Sequence, residues 1–254
     1  MHIDLNSDVG ESYGSWSMGQ DDALMPLITS ANIACGAHAG DPLVMARTVR
    51  LAASHGVAIG AHPGYPDRDG FGRRELAMTP EELASSLLAQ LGALAAIARA
   101  EVGVELRHVK PHGALYNHAA RDPALAETIA RTVARFSREV VLVGLAGSAS
   151  VDAGRDAGLA VAAEAFADRA YEADGSLRAR GLPGAVLGSP AEAARQARSI
   201  VVEGHVRAHD GSSVELRADT LCIHGDTPGA PEFARQVRDT LAADGVVFAP
   251  IGRA

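Results

Sequence analysis

The sequence predicts an α/β protein folded as a single-domain (β/α) barrel, seven-stranded and distorted, spanning residues 1–254. Three observations predict it. Seven short apolar segments bounded by glycine or proline alternate with alanine-rich amphipathic runs, the rhythm of a parallel sheet covered by helices. Helix starts are marked by a capping side chain followed by proline, whose missing N–H costs nothing at the first helical position. Titratable residues follow six of the seven strands, and in a closed barrel all C-terminal strand ends converge on one mouth. An open doubly wound sheet would gather only those at its switch point.

Taken in order, HIDLN (2–6) leads into Asp8 and Glu11. SANIAC (30–35) leads into His38 and Asp41, and Asp41-Pro42 opens a helix for which Gly56 stands at the C-terminal cap. GVAIGA (56–61) leads into His62 and Asp67. Thr79-Pro80, with Glu82 completing a capping box, opens the amphipathic run at 81–101. LRHVK (106–110) ends in Lys110 and reaches His112, and Asp122-Pro123 opens the next helix. VVLVGL (140–145) carries no such group; GLAGSAS (144–150) after it is a poor dinucleotide fingerprint. LAVAAEAF (159–166) contributes Glu164 and runs into Asp168 and Arg169. Residues 168–184 form a polar loop far longer than the usual connection of ~2–6 residues, a lid or a partner-binding surface, with Asp168 and Arg169 at its anchor. Ser189-Pro190 and Glu192 predict another capping box, and Gly204 and Gly245 stand at later helix ends. A hairpin is expected at 204–217 around the DGS turn, and TLCIH (220–224) delivers His224 and Asp226.

Composition narrows the function. Of 254 residues 47% are hydrophobic, and 23 basic side chains face 31 acidic ones, a net charge of −8, so the electrostatic footprint of a nucleic-acid binder is missing. No apolar stretch is expected to approach the ~18 residues of a membrane span, and MHIDLNSDVGE has no signal-type segment, so a cytoplasmic protein is expected. Cys35 and Cys222 then read as free buried thiols. The basic residues comprise 22 arginines and one lysine, Lys110, set among the histidines and carboxylates at a strand end. An ammonium is a compact point charge, and here it is expected to contact a substrate carboxylate or a phosphoryl oxygen.

His38, His62, His112 and His224 share one setting: each ends an apolar run and has glycine one or two residues later, which permits a sharp turn and close ligand approach. His2, His55, His108, His118, His205 and His209 lack it and read as surface or structural. Two chemistries fit such a rim. The groups can hold a divalent metal that activates water, or they can serve a small polar substrate as acid, base and donors without a metal. No HExxH, paired CxxC or GxxxxGK[ST] pattern decides between them.

DLNSDVGESYG, SANIACGAHAGDP, IGAHPGYPDRDGFGRR, VKPHGALYN, EAFADRAYEADGSLRAR and CIHGDTP resemble, in order and spacing, the LamB/YcsF family over nearly the whole chain. The resemblance implies a barrel related to the sugar-hydrolase and polysaccharide-deacetylase barrels. It implies ATP-driven cleavage of 5-oxoproline to glutamate, with separate B and C subunits. It singles out Asp8, Glu11, His38, His62, Lys110 and His112 for catalysis, and Glu164, Asp168, Arg169, His224 and Asp226 for holding substrate. Asp8 would be the base for water, its pKa raised by burial and neighbouring carboxylates. The alternatives are a metal-dependent deacetylase or hydrolase of the same barrel type, and a substrate-binding subunit without catalysis of its own.

Overall fold

Seven parallel strands close on themselves in the computed structural model, which describes residues 1–252. They are β1 (His2–Val9), β2 (Ser30–Ala34), β3 (Ala58–His62), β4 (His108–Val109), β5 (Val141–Leu145), β6 (Ala160–Phe166) and β9 (Thr220–Cys222), and β9 pairs back to β1 with Asp4 opposite Thr220. All seven apolar runs are strands. The short β10 (Val247–Phe248), which the sequence reading missed, adds to His2 and Ile3 of β1, where β9 has not yet begun. That extra strand and the two-residue β4 distort the barrel. The hairpin expected at 204–217 is present as β7 (His205–Arg207) and β8 (Ser213–Glu215), outside the barrel.

The helices start where local chemistry directs. In α2 (Pro42–Ser54) the Asp41 carboxylate accepts from the Leu43 and Val44 N–H groups, and in α5 (Pro123–Phe136) Asp122 accepts from Ala124 and Leu125. Thr79 and Glu82 form a complete capping box on α3 (Pro80–Val102). On α7 (Pro190–Arg198) the box is half made: Ser189 accepts from Glu192, but the Glu192 carboxylate turns to the Gly188 N–H instead of back to Ser189. The remaining helices are α1 (Asp21–Leu24), α4 (Gly113–Arg121), α6 (Ala149–Asp156) and α8 (Ala230–Ala243). One expectation is corrected here. The 23-residue α3 is long and apolar enough, by length and composition, to cross a membrane, yet Leu83, Leu87, Leu91, Leu94 and Ala98 are buried on the flank of the barrel, where α3 packs between α2 and α5.

Strand alternation sends one set of side chains outward under the helices, including Leu5, Ile33 and Leu221, all fully buried. The other set fills the barrel, and it is polar. Asp4, Asn6 and Asp8 of β1 face Asn32, His108, Lys110, Glu164 and Thr220 in one hydrogen-bonded column. Barrels are ordinarily filled by branched apolar residues. Here a charged, hydrogen-bonded interior leads up to the mouth.

Candidate active site

The column ends at Lys110, only 2% exposed. Its ammonium lies 2.8 Å from Glu164 Oε1, 3.0 Å from Asp8 Oδ1, 3.1 Å from Cys222 Sγ and 3.2 Å from Asn6 Oδ1. An ammonium has three hydrogens, so these contacts consume them and leave none for a substrate. Burial alone would lower the lysine pKa, but the Asp8, Cys222 and Glu164 side chains outweigh it and hold Lys110 well above the usual range. Lys110 is thus the internal counter-ion of two buried carboxylates.

Asp8 also differs from its expected state. Burial pushes its carboxyl up, but the charges of His62 and Lys110 outweigh burial and hold it well below the usual range. The raised carboxyl is Glu11, lifted by burial and then by the Asp8 charge. Asp8 is therefore a fixed anion and a weak base.

On one side of Asp8 lie three imidazoles. His62 Nε2 is 3.3 Å from Asp8 Oδ2 and 2.9 Å from His112 Nδ1. His112 stacks on His38 with ring centres 3.8 Å apart, and Glu11 Oε1 is 3.5 Å from His112 and 3.6 Å from His38. Burial first, and neighbouring histidines second, hold His38 and His112 well below the usual imidazole pKa, hence neutral. Two sets of side chains have the proximity to hold a metal ion: Glu11 with His38, His62 and His112, and Asp8 with Cys222 and His224.

On the other side stands a separate acid–base pair. The fully buried Asp168 carboxylate accepts from His224 Nδ1 at 3.0 Å and from the Thr227 hydroxyl. Burial would raise Asp168, but the His224 charge and hydrogen bond outweigh it and lower it. Because Nδ1 is committed to Asp168, Nε2 is the His224 ring nitrogen left for proton exchange. One donor atom each of His224, Asp8 and Cys222 falls within 4.8 Å of the others.

These groups line a cavity of about 670 Å³ whose wall includes Asp8, Glu11, His62, Lys110, His112 and His224. Its outer rim is basic, with Arg73, Arg121 and Arg180. Asp226 sits there too, paired with Arg73. Arg169 reaches two backbone carbonyls of its own loop, Ala185 at 3.1 Å and Arg178 at 2.6 Å, which folds residues 174–180 over the cavity. Glu164 lies below Lys110, fully buried. The structure therefore gathers Asp8, Glu11, His38, His62, Lys110 and His112 around one centre and Asp168 with His224 beside it. Glu164, Arg169 and Asp226 support those groups from below and from the rim. Asp41 and Asp67 stay outside, one capping α2 and the other paired with Arg74.

Sequence reasoning missed Asn6 and Asn32. The polar alternation Asp4, Asn6, Asp8 was a usable signal, since residues two apart share one face of a strand. His108, read as structural, is buried in the column with Nε2 2.7 Å from Asn32 Oδ1, and burial pulls its pKa down to about 3.

Fold and site together define a (β/α) barrel with acid–base groups at its mouth. The T48 deacetylase superposes with a TM-score of 0.53 over 98% of this chain and 88% of its own, and at 11% identity it is a likeness of fold alone. The chain belongs to the LamB/YcsF family, which it matches over residues 3–254. It is 61% identical to the A subunit of 5-oxoprolinase from Chloroflexus aggregans over 97% of both chains. The corresponding A subunit from Methylococcus capsulatus is 58% identical, over 98% of this chain and 96% of that one. The crystal structure of the lactam utilization protein of Thermus thermophilus superposes with a TM-score of 0.93 at 51% identity, over 99% of this chain and 100% of that one.

Proposed function

We propose that this chain is the A subunit of an ATP-hydrolysing 5-oxoprolinase, opening 5-oxo-L-proline to L-glutamate in the cytoplasm together with B and C subunits. The names of its relatives support the substrate, and the Asp168–His224 pair at the cavity carries the chemistry. A five-membered lactam is a poor electrophile whose closure is favoured, so ring opening requires activation of the amide oxygen. ATP supplies that activation in the assembled enzyme, by phosphorylating the oxygen.

Hydrolysis then needs one proton moved twice. His224 takes a proton from water as the water oxygen bonds to C5. It returns that proton to the ring nitrogen as the C5–N bond breaks, which leaves the new carboxyl group as an acyl phosphate that a second water hydrolyses to L-glutamate and inorganic phosphate; Asp168 stabilises the transient imidazolium, the division of labour of an acyl-transfer triad. Asp8, kept ionised by Lys110 and His62, orients the water. Donors placed at the developing oxyanion are each worth roughly 2.7–4 kcal/mol. The rim arginines suit the substrate carboxylate and the phosphoryl group, since guanidinium matches both in bidentate fashion. Arg180, whose nearest carboxylate is Asp226 at 4.0 Å, is the least committed of them. The loop at 168–184 acts as a lid anchored by Arg169.

The test uses reconstituted enzyme with labelled 5-oxoproline. Asp168→Asn should abolish most glutamate formation while the variant still folds and assembles; wild-type turnover would reject this assignment.

A further inference from the structure

The imidazole cluster beside Asp8 contains more inward lone pairs than its hydrogens can satisfy. His62 Nδ1 lies 2.7 Å from the Lys110 carbonyl oxygen, and His112 Nε2 lies 2.8 Å from that of Phe71. A carbonyl only accepts, so both of these nitrogens carry the hydrogen. With both rings neutral, the remaining nitrogens, His62 Nε2 and His112 Nδ1, aim lone pairs at each other across 2.9 Å. Glu11 Oε1, buried beside them, has no hydrogen-bond partner, and neither does either ring nitrogen of His38. Buried polar atoms are ordinarily satisfied, and orphans call for a missing partner.

We infer that Glu11, His38, His62 and His112 form a binding site for one divalent transition-metal ion. Three imidazoles with one carboxylate suit zinc, cobalt or nickel better than magnesium or calcium, which prefer oxygen donors throughout. The donor separations of 2.9, 3.5 and 3.6 Å bracket the edge of about 3.3 Å expected for a tetrahedron with metal–ligand bonds of about 2.0–2.1 Å. The outward N–H of His62 and of His112 is tied to a backbone carbonyl, the support that metal-bound imidazoles ordinarily have. Backbone presses on the rings as well: a Cβ on Gly64 would come within 2.8 Å of His38 Nδ1, and one on Gly72 within 2.8 Å of both His38 and His112.

Two competing explanations fit less well. A single extra proton on His62, shared with His112 and Asp8, would settle one close contact and leave Glu11 and His38 orphaned. A metal would engage all four. The other donor set, Asp8 with Cys222 and His224, already has its cation, because the Lys110 ammonium lies 3.0 Å from Asp8 Oδ1 and 3.1 Å from Cys222 Sγ. The site thus pairs a fixed ammonium with a place for a divalent ion.

The experiment reads metal content and so stands apart from lactam turnover. The full chain is stripped with chelator, checked for fold by circular dichroism, and titrated with cobalt(II), followed by visible absorption and calorimetry. One ion per chain is expected, displaced by one equivalent of zinc. His38→Gln and the near-isosteric Glu11→Gln should each weaken binding by more than the roughly 10–100-fold that loss of an orienting partner costs. Cys222→Ser should leave the stoichiometry unchanged. Wild-type chain that takes up no stoichiometric ion would overturn the inference, as would folded Glu11→Gln binding cobalt as tightly as wild type.

Discussion

Replacing Lys110 with methionine keeps the stem of the side chain and deletes the ammonium that Asp8 and Glu164 share. Both carboxylates lie within 3.0 Å of the ammonium and are at most 6% exposed, so neither can exchange its partner for water. Breaking a buried pair by removing one member costs about 3–5 kcal/mol while the other charge stays ionised. The variant can escape by protonating a carboxyl, whose folded-state pKa then rises above its unfolded value. A raised carboxyl contributes stability that is present below the unfolded pKa, about 4, and lost as pH rises through the folded one. The deficit of Lys110→Met should therefore be small near pH 4 and reach ~3–5 kcal/mol by pH 8. Urea unfolding at both pH values measures it. Adding Glu164→Gln should return about half of the loss at pH 8, because sites in direct contact couple strongly. A deficit independent of pH, or one below about 1 kcal/mol at pH 8, is what an exposed pair gives and would refute the reasoning.

Three further outcomes follow from the same geometry. Asp4, pushed up from the usual 3.8 to about 6 mainly by burial, should make wild type lose ~2 kcal/mol relative to Asp4→Asn between pH 4 and pH 7, and parallel stability curves would contradict it. In steady-state kinetics Asp168→Asn should lower kcat by about 10²–10⁴ with little change in KM, since it removes the group that orients His224 rather than one that binds substrate. Alanine at Gly60 and at Gly92 should act oppositely in thermal unfolding: the first drives a Cβ into the buried His108 ring, an overpacking cost of ~1–3 kcal/mol or more, whereas the second meets nothing within 4 Å and should stabilise α3 by up to ~1 kcal/mol.

What could be read from the sequence was local. Asp41-Pro42, Thr79-Pro80, Asp122-Pro123 and Ser189-Pro190 mark helix starts because the cap and the first turn are neighbours in the chain. The seven strands were legible because each is apolar and flanked by turn residues. That polar side chains from several strand ends would meet was legible as well, since a closed barrel brings every C-terminal strand end to one place. Roles were not, because they depend on pairings across the barrel. Asp168 and His224 are 56 residues apart, and only the pairing of β6 with β9 brings them together as an acid–base unit. The state of Asp8 depends on Lys110, 102 residues away, which reverses the shift that burial alone would impose. Lys110 stood out in the composition, but its commitment to two internal carboxylates became visible only with the interior of the barrel.

The proposed opening of a lactam through His224 and Asp168 requires the partner subunits and ATP. The most direct measurement combines the purified chain with the B and C subunits, ATP and labelled 5-oxoproline, and follows labelled glutamate against mixtures lacking one component. Glutamate should form only in the complete mixture and should fall by about 10²–10⁴ with Asp168→Asn. Equal glutamate formation when this chain is omitted, or when Asp168→Asn replaces it, would contradict the account.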